Sequence, residues 1–327
     1  MLTTAFLGVA HIHTPNFIKR LAEMPDVRVK YVYDHDEERG RKAAAQTNSA
    51  FAADVAAILA DPEVGSVLIC SETTRHLPLV LQSASAGKHM FVEKPIAADA
   101  DEAERMAEAV TNAGVVFQTG FFMRGSPQAQ FMRREVEAGN LGKITRMRHT
   151  TCHQGSLAGW FDGDYRWIAD SAEAGGGGFA DLGAHSLDLL LWIMCCSCGP
   201  VTNVSSCLGS ATARYGAIDE YGVGLVAFES GAVGVLEASW VDPKLRSPIE
   251  IHGTRGEILV VDGEVRYYSE LLEGADGGVW TDLPPAKPHA FDLFFEALRG
   301  NEAALVSIEE AAEEARIMDV LYRSSIA

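Results

Sequence analysis

The chain is short of basic residues. Its 327 positions carry 27 lysines and arginines against 45 aspartates and glutamates, a formal net charge of −18. A surface of that sign repels phosphate backbones, which argues against a nucleic-acid partner unless a local basic patch exists. The sequence offers only "RMRH" at 146–149, which reads as the solvated face of a strand. Long apolar runs are missing too: no eighteen consecutive apolar residues occur, so no membrane span is expected. The N-terminus lacks the basic stretch and cleavage site of a secretory signal. Six cysteines in a chain of this length do not make a disulfide framework. Cys195, Cys196 and Cys198 have no second Cys or His pair nearby, so they read as reduced thiols in a cytoplasmic protein. Internal repeats and low-complexity linkers are absent.

What is present divides in two, as the length suggests. Up to about residue 121 apolar strands alternate with helices. "AFLG" leads into a helix over 14–24 with Thr14 as N-cap and Pro15 in its first turn. "VRVKYVYD", "VGSVLIC", "HMFVE" and "VVFQTGF" follow as strands, with helical segments between them. That alternation predicts a parallel α/β sheet. Beyond it, "KITRMRHTTCH", "YGVGLVAFES", "AVGVLEASWV" and "PIEIHGTRGEILVV" are strands joined by tight glycine turns, and two helices close the chain. The expected architecture is a doubly wound parallel sheet of Rossmann type over 1–121. An α+β domain with a large, mostly antiparallel open sheet follows over 122–327.

The first strand ends in "GVAHIH", where a dinucleotide-binding turn would read G-x-G-x-x-G. Gly8 is in place, but Ala10 and His13 stand at the second and third glycine positions. Gly8 allows the tight turn, and Ala10 is the smallest residue that still lets a pyrophosphate approach the backbone. His11 and Ile12 complete the turn. "HIH" at 11–13 is half of a metal pair, but its place in a phosphate turn favours the nucleotide, and no metal is expected. The second strand ends at Asp34, twenty-one positions after His13. An acid at that distance suits the hydroxyls of an adenosine ribose and repels the extra phosphate of NADP. NAD is therefore the expected cofactor, with nearby Arg39 keeping NADP open.

Two stretches carry chemistry. In "HMFVEKPIA" a strand delivers Glu93 and Lys94 to the carboxyl edge of the parallel sheet, where ligands sit in such folds. In "GGGGFADLGAHSLDLLLW" four glycines feed a helix on which Asp181 and His185 share a face, followed by Asp188 and Trp192. An imidazole that titrates near neutrality suits a group that gives and takes a proton in each turnover.

Together these stretches resemble the Gfo/Idh/MocA family, which includes glucose–fructose oxidoreductase and inositol dehydrogenase. "EKP" matches a family motif, and "DLGAHSLDLLLW" matches D-x-G-x-H-x-x-D-x-x-x-W. "GFFMRGSP" is similar to G-F-x-x-R-x-x-P with Arg124 at the arginine, and "WIADSAEAGGG" aligns with W-R-x-D leading into glycines. There are departures. "ETTRH" keeps His76 of a T-P-N-x-x-H stretch without its Pro-Asn pair, and Ile168 replaces an arginine. The resemblance implies an NAD(P)-dependent oxidoreductase acting on a sugar, an inositol or a related polyol. It implies that Ser71, Glu72, Thr73, His76, Glu93, Lys94, Gln118 and Trp167 join the turn and Asp34 in binding the cofactor. His185 would take the hydroxyl proton, Lys94 would hold the same oxygen, and Asp181 would bind a neighbouring hydroxyl. Arg124, His153 and Trp160 are candidates for the substrate wall. Two other readings stay open: an NAD-dependent glycosidase of the same superfamily, and a non-catalytic regulator that binds cofactor or sugar. The resemblance further implies a homodimer or homotetramer formed through the C-terminal sheet.

Overall fold

The computed structural model describes residues 1–325. The chain forms two compact units. One takes residues 1–120, 162–175 and 289–316; the other takes 121–161, 176–288 and 317–325.

The first unit is built on six strands: β1 (Leu2–Leu7), β2 (Val27–Tyr33), β3 (Ala50–Phe51), β4 (Ser66–Ile69), β5 (His89–Val92) and β6 (Phe117–Thr119). Their order is β3-β2-β1-β4-β5-β6, and every neighbouring pair is parallel. The order reverses between β1 and β4, the topological switch point at which open α/β sheets bind ligands. β4 and β5 are almost wholly apolar because helices cover both faces of such a sheet. The first helix, Thr14–Ala22, buries Thr14, Phe17 and Leu21, at helical spacing. His13 rather than Thr14 takes the cap position, and the Thr14 amide bonds the His11 carbonyl at 2.9 Å. A late helix, Ala290–Leu298, completes the core: Phe291 stacks on Phe17 with ring centroids 4.3 Å apart, and Phe294 and Phe295 are fully buried.

The second unit carries an eight-stranded sheet of β7 (Ile144–Cys152), β8 (Val201–Gly209), β9 (Tyr221–Phe228), β10 (Val233–Ser239), β11 (Ile249–Gly253), β12 (Gly256–Val261), β13 (Glu264–Ser269) and β14 (Asp276–Val279). The order is β14-β13-β12-β11-β7-β10-β9-β8. Only β7 and β10 pair in parallel; all other neighbours are antiparallel. The helix Gly178–Cys198 lies against β7, β9 and β10. Glycines in the strands allow that close approach: a Cβ on Gly222 or Gly234 would come within 2.6 Å of Phe179 or Leu190. Among the described residues, Ser171–Cys198, which includes this helix, is long and apolar enough to cross a membrane, yet 72% of its most apolar window is buried inside the protein, as befits a core helix.

"RMRH" is solvated on one face only. Strand alternation turns Met147 and His149 inward, both fully buried, while Arg146 and Arg148 face outward. All six cysteines are free thiols, with Cys195, Cys196 and Cys207 exposed.

Candidate functional site

In the first unit, Gly8 ends β1 with φ +87°. A Cβ there would lie 2.4 Å from the Ser71 Cβ, so only glycine lets the turn pass β4's exit this closely. The turn is pinned at both ends: the Gly8 amide donates to Tyr33 and the His11 amide to Cys70. Asp34 sits at the exit of β2, and its Oδ2 accepts the Val9 amide at 2.8 Å. An opening is lined by Val9, Ala10, His11 and Thr14 of the turn and by Arg39 and Lys42 of the helix Glu37–Gln46. Glycine turn, helix start, strand-end carboxylate and flanking cations form a donor set that fits an NAD-type dinucleotide.

The two replaced glycines have found other work. Ala10 is buried, and its carbonyl accepts the indole N–H of Trp167 at 3.1 Å. His13 turns its Nδ1 to Glu93 Oε1 at 3.1 Å, and His11 Nδ1 lies 3.7 Å from the same oxygen. Burial would raise the Glu93 carboxyl, but the His11 and His13 imidazoles, the His13 hydrogen bond and Lys94 outweigh it and hold the group below the usual carboxylate range. The ligand atoms of His11, His13 and Glu93 lie within 4.8 Å of one another, close enough to hold a metal ion. The sequence offered the two histidines; the fold adds the carboxylate from "EKP". Ile12 is half-buried beside them.

Lys94 follows β5 and is buried, with its amide bonded to Glu93 Oε2. After β4, Ser71 bonds the Glu72 carbonyl, and Thr73 opens a short 3-10 turn. His76 is fully buried between the Ile96 and Ser71 carbonyls, and burial pushes its imidazole below the ordinary value. The Gln118 side-chain Oε1 accepts the amides of Thr119 and Val306.

In the second unit, the helix Gly178–Cys198 presents Asp181 and His185 one turn apart. Asp181 Oδ2 accepts the indole N–H of Trp240 at 2.9 Å. His185 is buried next to Phe121 and Phe122, with ring centroids at 6.3 and 5.1 Å. Arg124 binds Asp188 through Nε and Nη2, the latter at 2.6 Å. Arg124 and Arg133 also lie over the Trp192 ring, at 5.7 and 4.5 Å. This ties the arginine, aspartate and tryptophan of the helix motif into one brace. His153 and Trp160 meet with ring centroids 4.7 Å apart, and Trp160 remains exposed. Sequence reasoning missed Trp240 as the partner of Asp181 and Glu72 as a partner of Arg39. Both contacts join residues far apart in the chain, so no local spacing announces them.

Comparison with known proteins agrees with this geometry. The Gfo/Idh/MocA oxidoreductase model, described as having an NAD-binding Rossmann fold, matches residues 2–121. The C-terminal domain model of the same group matches 129–259. The scyllo-inositol 2-dehydrogenase (NAD(+)) of Bacillus subtilis is 26% identical over 288 residues, which is 86% of this chain and 79% of the relative. The myo-inositol 2-dehydrogenase of Thermotoga maritima is 30% identical over 207 residues, 62% of this chain and 58% of the relative. A solved levoglucosan dehydrogenase in complex with NADH superposes with a TM-score of 0.84 at 21% identity, covering 99% of this chain and 96% of that one.

Proposed function

We propose, since this chain belongs to the Gfo/Idh/MocA family of NAD-binding oxidoreductases, that it interconverts a secondary alcohol and its ketone on a sugar, an inositol or a related cyclic polyol. The observation that carries the reading is the pair Asp181 and His185, one turn apart on a buried helix, with Trp240 fixing the carboxylate. NAD, when bound, supplies the hydride acceptor. The chain's own residues handle the oxygen and its proton. His185 takes the hydroxyl proton on an imidazole nitrogen. The Lys94 ammonium donates a hydrogen bond to a substrate oxygen and stabilises negative charge that grows on it. Asp181 accepts from a neighbouring hydroxyl and orients the ring, a gain in positioning that needs its carboxylate held as Trp240 holds it. Trp160, exposed beside His153, offers an aromatic face for the apolar side of a sugar.

Relatives named for inositol and levoglucosan support the substrate class. The alternating outward face of β9, with Tyr221, Val223 and Leu225 exposed, supports a homo-oligomer formed through the second sheet. Six free thiols fit a reducing compartment such as the cytoplasm. The test is a panel of inositols, free sugars and anhydrosugars with NAD+, followed by absorbance of the reduced nicotinamide. Reduction of NAD+ by one or more of these polyols is expected. A protein that binds NAD+ yet reduces none of it with any member would sink the substrate class.

A further inference from the structure

The sequence leaves Arg39 ambiguous, because an arginine just beyond the second strand is a common seat for the 2′-phosphate of NADP. The structure shows what holds it. Arg39 Nη2 lies 2.7 Å from Asp34 Oδ1 and 2.7 Å from Glu72 Oε1, and its Nε lies 3.1 Å from Asp34 Oδ2. Both carboxylates are almost fully buried, with side-chain exposures of 0% for Asp34 and 4% for Glu72, while Arg39 keeps 23%. Other charges around the cluster are His35, 3.5 Å from Asp34 and 3.6 Å from Glu72, and Arg75, 3.5 Å from Glu72 and 3.6 Å from Glu173. Lys42 lines the same opening as Arg39. Glu72 stands in "ETTRH", the stretch whose departure from the resembled pattern had no explanation in the sequence.

We infer that Glu72 and Asp34 together reserve Arg39 and so make the adenosine end of the site select NAD against NADP. The inference rests on the cofactor reading above. A bidentate guanidinium clamped between two buried carboxylates cannot turn to a phosphate without leaving buried negative charge unpaired. A 2′-phosphate placed beside Asp34 then meets repulsion with no arginine to offset it. A ribose diol carries no charge and so meets no such repulsion. Glu72 thereby acts on selectivity without touching the ribose: it withholds the arginine.

The experiment measures NAD+ and NADP+ binding to the full chain by isothermal titration calorimetry, in the wild type, Glu72→Gln, Arg39→Ala and the double variant. Wild type is expected to favour NAD+ by roughly 100-fold, and Glu72→Gln to narrow that ratio about tenfold by tightening NADP+. In the wild-type background Arg39→Ala is expected to leave NADP+ affinity within about threefold, and in the Glu72→Gln background to erase the gain. NAD+-dependent thermal stabilisation of each variant verifies that it is folded. An unmoved ratio in a folded Glu72→Gln protein, or a gain that survives loss of Arg39, overturns the inference and leaves the cofactor reading intact. A wild type that binds neither dinucleotide overturns both.

Discussion

Gly8→Ala tests the nucleotide turn with the least added matter, a single methyl group. Two costs come from the structure. The backbone at position 8 has φ +87°, a left-handed conformation that costs an L-residue about 1–2 kcal/mol. The new Cβ would also meet Ser71, at 2.4 Å from its Cβ, 2.7 Å from its Cα and 2.8 Å from its nitrogen. Two of those atoms are backbone at the exit of β4, so no rotamer change relieves the clash. Forcing extra volume into a packed site adds about 1–3 kcal/mol, which brings the sum to about 2–5 kcal/mol. For a cooperative unit of this size that is a fall of roughly 5–15 °C in melting temperature. Gly87→Ala is the internal control. Its φ is +65°, also left-handed, but its Cβ would meet nothing within 4 Å. It should bear only the backbone cost, and the gap between the two variants isolates the contact with Ser71. Relief of that contact must displace the turn, so Gly8→Ala should also weaken NAD+ binding while Gly87→Ala does not. Calorimetric melts of both variants, with and without NAD+, measure all of this. A Gly8→Ala protein that melts no lower than Gly87→Ala would refute the reasoning.

Two further outcomes are expected. Lys94→Ala should lower turnover by about 100-fold, as does loss of one oxyanion donor, while NAD+ affinity by calorimetry survives; near-normal turnover would remove Lys94 from the chemistry. Acid stability should carry the mark of His149, fully buried and pushed down to about 4 by burial from an ordinary 6.5. Above pH 6.5 both folded and unfolded chains hold it neutral. Between there and about 4 only the unfolded chain takes up the proton, so stability falls as pH falls, by up to about 3 kcal/mol. Denaturant unfolding at stepped pH should show a shallower acid slope for His149→Asn; superimposable slopes would show that the histidine is not responsible.

Much of the first unit could be read from the sequence because its signals are local. A strand, a glycine, a helix start and an acid at the next strand's end follow one another between Leu2 and Asp34, and the fold keeps that order. The Asp181–His185 spacing was legible for the same reason, since one helical turn sets it. What escaped depends on pairings across the chain. Trp240 reaches Asp181 over 59 positions, and Glu72 reaches Arg39 over 33. "RMRH" was legible only for its two arginines, because alternation along β7 turns Met147 and His149 inward while Arg146 and Arg148 face outward. Nor does any local pattern announce that 162–175 and 289–316 join the first unit; they do so through contacts such as Trp167 with Ala10 and Phe291 with Phe17.

Those same segments explain how the turn after β1 dispenses with two glycines. A glycine at the second position serves close approach of a pyrophosphate, and one at the third serves close packing of helix on strand. At the third position His13 carries a bulky ring, which lies edge-on to Phe17 and bonds Glu93. The packing duty passes to Phe17, held flat against Phe291 from the late helix. At the second position Ala10 adds a methyl group, and the peptide is fixed through its carbonyl by Trp167 rather than left to the freedom of glycine. Gly8 alone has no such substitute, because what it avoids is the backbone of Ser71. A turn braced from outside can tolerate side chains wherever they have somewhere to go; the glycine that remains is the one whose side chain would have nowhere.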